Sequence, residues 1–173
     1  MTFTSDSAST RFSSSFNYNN QIGDTVTSTI AVFKALSVDD QLAVLWYAYT
    51  EMGKSITPAA TGAARLQLAE GLLNQIKKMS HLEQLEAMRD LAAQKNTQIS
   101  RSYGILSANT KLAFWYELAE LMAKGFVVPV PLGYQISRDG AQVLETLKEL
   151  DFGQQITVFR KVVIEMGVDP LAD

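Results

Sequence analysis

The sequence predicts an all-α fold, and three observations carry that prediction. Apolar residues recur at helical spacing from about Asp24 almost to the end of the chain. Serine, threonine and aspartate stand repeatedly where a helix needs a cap. No pair of strand-like alternating runs is evident in the sequence.

Taken in order, residues 1–23 are rich in Ser, Thr and Asn and read as an arm, docked through Phe3, Phe12 and Phe16. Asp24 can cap a first helix with Val26, Ile30 and Phe33 on one face. Ser37 starts a second helix, with Asp40 as a capping-box partner, and Gly53 marks its end. Thr57-Pro58 pairs a cap with proline at the first helical position, and Leu66, Leu68, Ala69, Leu72, Leu73 and Ile76 follow. Ser80 with Glu83 forms a clearer capping box ahead of Leu82, Leu85, Met88 and Leu91. A shorter helix spans Gln98 to Leu106. Ser107 caps the next, which presents Leu112, Trp115, Leu118 and Met122 and ends at Gly125.

The pattern then changes. Phe126-Val127-Val128-Pro129-Val130-Pro131 must be extended, because each proline disfavours helix at the residue before it. Helices near 138–150 and 153–166 complete the chain, and 170–173 reads as a tail. The helical domain is therefore placed at 24–169.

Composition excludes several function classes. With 173 residues, the chain can bury a sizeable core. A formal net charge of -3 gives no global basic footprint for nucleic acid. Zero cysteines remove disulfides, thiolate metal sites and thiol nucleophiles. No apolar run reaches the ~18–20 residues that span a bilayer, and the first residues do not read as a signal peptide. A cytoplasmic protein is expected. His81 is the only histidine, which rules out a histidine metal cluster, and it sits beside a helix cap where a surface role is ordinary. No nucleophile elbow, phosphate loop or dinucleotide fingerprint is present. Glu117, Glu120, Glu145 and Glu149 read as a solvated face, so no catalytic set is assigned and the protein is read as a non-enzyme.

The aromatic stretches carry more information. Leu45-Trp46-Tyr47-Ala48-Tyr49 and Phe114-Trp115-Tyr116 hold both tryptophans of the chain. Core packing between helices would explain them. So would a ligand tunnel, because flat rings and pliable Met52, Met88 and Met122 suit a long apolar guest.

Four blocks resemble a known family. Ser37–Lys54 (SVDDQLAVLWYAYTEMGK), Lys111–Leu118 (KLAFWYEL), Val128–Tyr134 (VPVPLGY) and Gly153–Arg160 (GQQITVFR), the last running into Met166-Gly167, are similar to the N-terminal domain of the cyanobacterial orange carotenoid protein. Order and spacing agree from about residue 22 to 169. The resemblance implies two helical subdomains, each a discontinuous four-helix bundle, enclosing a carotenoid tunnel. The second domain of the full-length family protein has no counterpart here, so a stand-alone relative is expected, whose spectrum light leaves unchanged. A long polyene is a rod of roughly 30 Å, comparable to a 20-residue helix, and it needs a through-going seam. Burying it at ~25 cal/mol per Å² of apolar area is a large driving force.

By position, the resemblance implies that Trp46, Tyr49 and Trp115 surround one end ring, with Tyr116 beside them. Leu42, Leu45, Met88, Leu112, Met122, Val130, Ile156 and Val163 would line the polyene, with Tyr134 near the linker. The implied ligand is a keto-carotenoid such as canthaxanthin or echinenone. Arg160 matches a family residue that contacts the phycobilisome antenna, which would place the protein peripherally at the thylakoid. Arg89, Lys161 and the N-terminal arm depart from the family pattern. The expected role is photoprotection by quenching singlet oxygen. The alternatives are a phycobilisome-docking quencher and a carrier that exchanges carotenoid with a donor or acceptor protein.

Overall fold

The computed structural model describes residues 9–53 and 66–172. Among them eight helices occur and no strand: α1 (Ser9–Ala35), α2 (Val38–Met52), α3 (Leu66–Lys77), α4 (His81–Ala92), α5 (Gln98–Gly104), α6 (Ala108–Ala123), α7 (Arg138–Glu149) and α8 (Phe152–Ile164). Phe3, the side chains of Phe12 and Phe16, and Thr57-Pro58 lie outside the described residues.

The starts of α2, α4 and α6 follow the caps read from sequence. Ser107 accepts from the Thr110 amide at 3.2 Å. Ser80 and Glu83 form a reciprocal capping box, at 3.3 and 2.8 Å. His81, next in line, is exposed. Two expectations need correction. The first helix begins at Ser9 rather than at Asp24, so residues 9–23 are helical. Further along α1, Thr25 and Thr29 turn their hydroxyls back to the Gln21 and Thr25 carbonyls, which lets polar residues stay inside a helix. Asp40 does not complete a capping box at Ser37, although Ser37 does cap α2. Its carboxylate accepts instead from the Tyr134 hydroxyl at 2.9 Å and from the Ser137 amide at 3.3 Å. That ties α2 to the segment leading into α7.

The helices pack as two groups. α3 packs on α4, α5 and α6, and α4 on α5. The second group joins the early and late parts of the chain, with α1 against α7 and α8, and α2 against α7. Each subdomain is therefore a set of four helices, and one is discontinuous in sequence. The seam between them is crossed where α6 meets α8 and where α2 meets α4 and α6.

Buried polar side chains fix the connections. Gln84 is 1% exposed and serves three main-chain groups. Its amide nitrogen donates to the Ile76 and Phe126 carbonyls, and its oxygen accepts from the Val128 amide at 2.9 Å. The end of α3 and the extended segment after α6 are thus held by one side chain. At the far end of the chain, the Gly167 and Val168 amides donate to the Leu91 and Ser100 carbonyls. Gly104 is required there, because a Cβ would sit 1.9 Å from the Val168 oxygen. Gly167 has φ +73°, in the region glycine favours.

Gln84→Met keeps the volume and removes all three bonds. It should cost ~2–3 kcal/mol of stability, read as a lower midpoint in urea unfolding, and an unchanged midpoint would refute this assignment.

Candidate functional site

Two apolar chambers lie in the seam, and α2 and α6 run along both. The Tyr49 chamber holds about 540 Å³ of empty space, counted to its open mouth. Leu45, Ala48 and Tyr49 of α2 face Leu112, Trp115 and Tyr116 of α6 across it, and Ile156, Phe159 and Val163 of α8 close the wall with Gly53. The Tyr134 chamber holds about 800 Å³, counted the same way. Its walls are Asp39, Leu42, Leu45 and Trp46 of α2, Leu85, Met88 and Arg89 of α4, and Trp115, Ala119 and Met122 of α6. Val128, Pro129, Val130, Pro131 and Tyr134 of the extended segment form its remaining side.

Leu45 and Trp115 line both chambers and form the waist between them. Trp115 is held in place. Its indole nitrogen donates to the Tyr103 hydroxyl at 2.9 Å, and that hydroxyl donates to the Val163 carbonyl at 2.6 Å. Tyr103 is fully buried, and burial pushes its phenol well above the ordinary range. Phe114 packs edge-on against both rings, at 5.2 Å from Tyr103 and 5.6 Å from Trp115. Behind this wall, Lys111 donates to the Ile164 carbonyl at 2.8 Å, closing the end of α8. Burial holds its ammonium below the ordinary lysine value.

At the Tyr49 chamber, the Tyr49 hydroxyl donates to Glu120 Oε1 at 2.6 Å. That bond, helped by burial, raises the phenol to about 12. Tyr116 stands edge-on to Tyr49 at 5.7 Å, and burial together with Glu120 raises its phenol as well. At the mouth of the other chamber, Arg89 pairs with Asp39 through two bonds, 2.8 and 3.1 Å, and with Glu86 at 2.8 Å. These bonds hold the guanidinium firmly protonated.

Every tunnel residue read from the sequence lines one chamber or both: Leu42, Trp46, Met88, Met122, Val130 and Tyr134 the Tyr134 chamber, and Tyr49, Leu112, Tyr116, Ile156 and Val163 the Tyr49 chamber, with Leu45 and Trp115 shared. The expected grouping of Trp46, Tyr49 and Trp115 around one ring is not what the structure shows. Trp46 and Tyr49 stack on each other, centroids 5.9 Å apart, yet face different chambers. Met52 lines neither; it is buried against Gln155, 3.7 Å away. Glu120 is not simply solvated, since it binds Tyr49. Sequence reading missed Ala48, Phe159, Ala119 and Arg89. Phe159 lies one helical turn from both Ile156 and Val163, a spacing that could have found it. Arg160 is exposed on α8, beside exposed Lys161, and makes no ion pair among the described residues. No helix among the described residues is long and apolar enough to cross a membrane.

Comparisons with known proteins converge on one family. The sequence pattern described as "Orange carotenoid protein, N-terminal" matches residues 19–169. An orange carotenoid-binding domain-containing protein of Nostoc sp. is 82% identical over the full length of both chains. The chain spans about half the length of two further curated relatives, which are 50% and 48% identical. The orange carotenoid protein of Anabaena (Nostoc) sp., solved binding canthaxanthin, superposes with a TM-score of 0.78 at 53% identity, covering 85% of this chain and 48% of that one. The Red Carotenoid Protein of the same organism, also solved binding canthaxanthin, gives a TM-score of 0.72 at 42% identity, covering 83% of this chain and 98% of that one.

A raised phenol pKa means the fold favours the protonated form, so the stability Tyr49 contributes is present below pH 10.0 and is lost as pH rises toward about 12. Spectrophotometric titration should show several late-ionising tyrosines, among them Tyr49, whose ionisation Glu120→Gln shifts back toward 10.0. An identical titration curve in the variant would overturn the assignment.

Proposed function

Since the chain belongs to the family of the orange carotenoid protein N-terminal domain, we propose that it is a non-enzymatic photoprotective protein that holds one keto-carotenoid along the seam and quenches singlet oxygen. The single observation that carries this reading is the pair of apolar chambers meeting at Leu45 and Trp115. A rod-shaped hydrocarbon needs such a path, and compact substrates do not. The donor chemistry of the walls fits as well. Trp115, Tyr49, Tyr134 and the Val128 amide all direct their hydrogen bonds away from the chambers, to Tyr103, Glu120, Asp40 and Gln84. A polyene held along these walls therefore meets carbon surfaces, and these four donors are already paired.

The bound polyene supplies the energy-accepting states. The chain's own residues exclude water, fix the rod and set its curvature. The bond from the Trp115 indole to the buried Tyr103 phenol fixes one half of the waist, opposite Leu45. Ala48 and Gly53 add little bulk to the Tyr49 chamber, which leaves width for an end ring. Expressed in a carotenoid-producing host, the protein should purify coloured, with about one pigment per chain recovered by organic extraction. Colourless protein would sink this reading.

A second reading, docking on an antenna complex, draws support from Arg160, an exposed cation without an ion pair among the described residues. Loaded protein would then lower phycobilisome fluorescence, and Arg160→Glu would abolish that effect. Fluorescence left unchanged by the unmodified protein at low salt counts against it.

A further inference from the structure

We propose that Arg89 is a specificity-determining residue that recognises a carbonyl on the end ring of the bound carotenoid. This rests on the carotenoid reading above and deepens it. The Tyr134 chamber is apolar except for a few side chains. A ring ketone only accepts hydrogen bonds, so its partner must be a donor. Tyr134 has spent its one hydrogen on Asp40. Asp39 only accepts, and both of its oxygens are already taken by Arg89.

Arg89 is different. A guanidinium carries five N–H donors. Nε and one Nη2 hydrogen go to Asp39, and one Nη1 hydrogen goes to Glu86. One hydrogen on each terminal nitrogen remains. The committed bonds lock the guanidinium plane, so the remaining donors are aimed before any ligand arrives. The side chain is 35% exposed and lines the chamber, which places it at the mouth. An end ring reaching this point from the waist would bring its oxygen to a fixed cation while its carbon skeleton stays in the apolar part. A hydrocarbon ring gains nothing there and would cover part of the charge, so the same residue favours ketones and disfavours carotenes.

Apoprotein is offered equal amounts of canthaxanthin and β-carotene, which share a skeleton and differ in the two ring carbonyls, and the bound pigments are extracted and quantified. The unmodified protein should enrich canthaxanthin about tenfold or more, as expected for a hydrogen bond to a charged group. Arg89→Leu should lower that ratio about tenfold. So should the double variant Asp39→Asn with Arg89→Leu, which leaves no lone carboxylate behind. Undiminished β-carotene uptake in the variants shows that their tunnel is intact. A ratio in both Arg89 variants within about twofold of the unmodified protein would overturn the proposal. Failure of the unmodified protein to take up either pigment would overturn the carotenoid reading itself, and this inference with it.

Discussion

The seam remains an apolar path because the Trp115, Tyr49 and Tyr134 donors in its walls are satisfied elsewhere. A protein interior closes around empty space unless its walls are braced, and an unpaired donor facing an apolar guest would oppose binding. Here the brace is the relay from the Trp115 indole through the Tyr103 phenol to the Val163 carbonyl. It ties α6 to α8 through a residue of α5. The short helix α5 lines neither chamber, yet it supplies the post against which the waist is fixed. Gln84 plays the matching part at the other chamber, holding the extended segment whose prolines form one side of the mouth.

The two ends of the path differ in character. At one end, a carboxylate is bonded to a phenol, and Tyr116 stands beside the pair. At the other, a guanidinium is held by two carboxylates at a partly exposed mouth. A symmetric guest would thus meet an asymmetric site, and its two rings would experience different fields. Colour in a polyene reports the field at each ring, so a polyene held here would meet two separate places that tune its absorption.

Much of this architecture was legible in the sequence, for identifiable reasons. Serines ahead of apolar stripes marked helix starts at Ser80 and Ser107, because an N-cap is a local bond between residues three apart. The tunnel lining was legible through its motifs and its helical spacing. The first helix was not, because residues 9–23 carry no apolar stripe and their helix propensity is poor. Nor were the partners of Asp40 and Glu120, which lie far along the chain at Tyr134 and Tyr49. No local pattern encodes a hydrogen bond across such a separation. The split of Trp46 and Tyr49 between chambers was equally hidden, since three residues along a helix leaves two neighbours free to face either side of a wall.

The interleaved topology also dictates an order of events during folding. Helices α3 to α6 are consecutive, so their contacts close short loops and can form early. Helix α1 has no comparable choice, since its partners are α7 and α8, on the far side of that entire unit, and α2 meets α7 across the same span. Loop-closure entropy delays such pairings until a nucleus already exists. On a ribosome, α2 would leave the exit channel well before α7 and α8 are translated, and half of the seam would wait without its opposite wall. Uptake of a guest along the seam would consequently be a late step, open only to a chain whose last two helices have arrived.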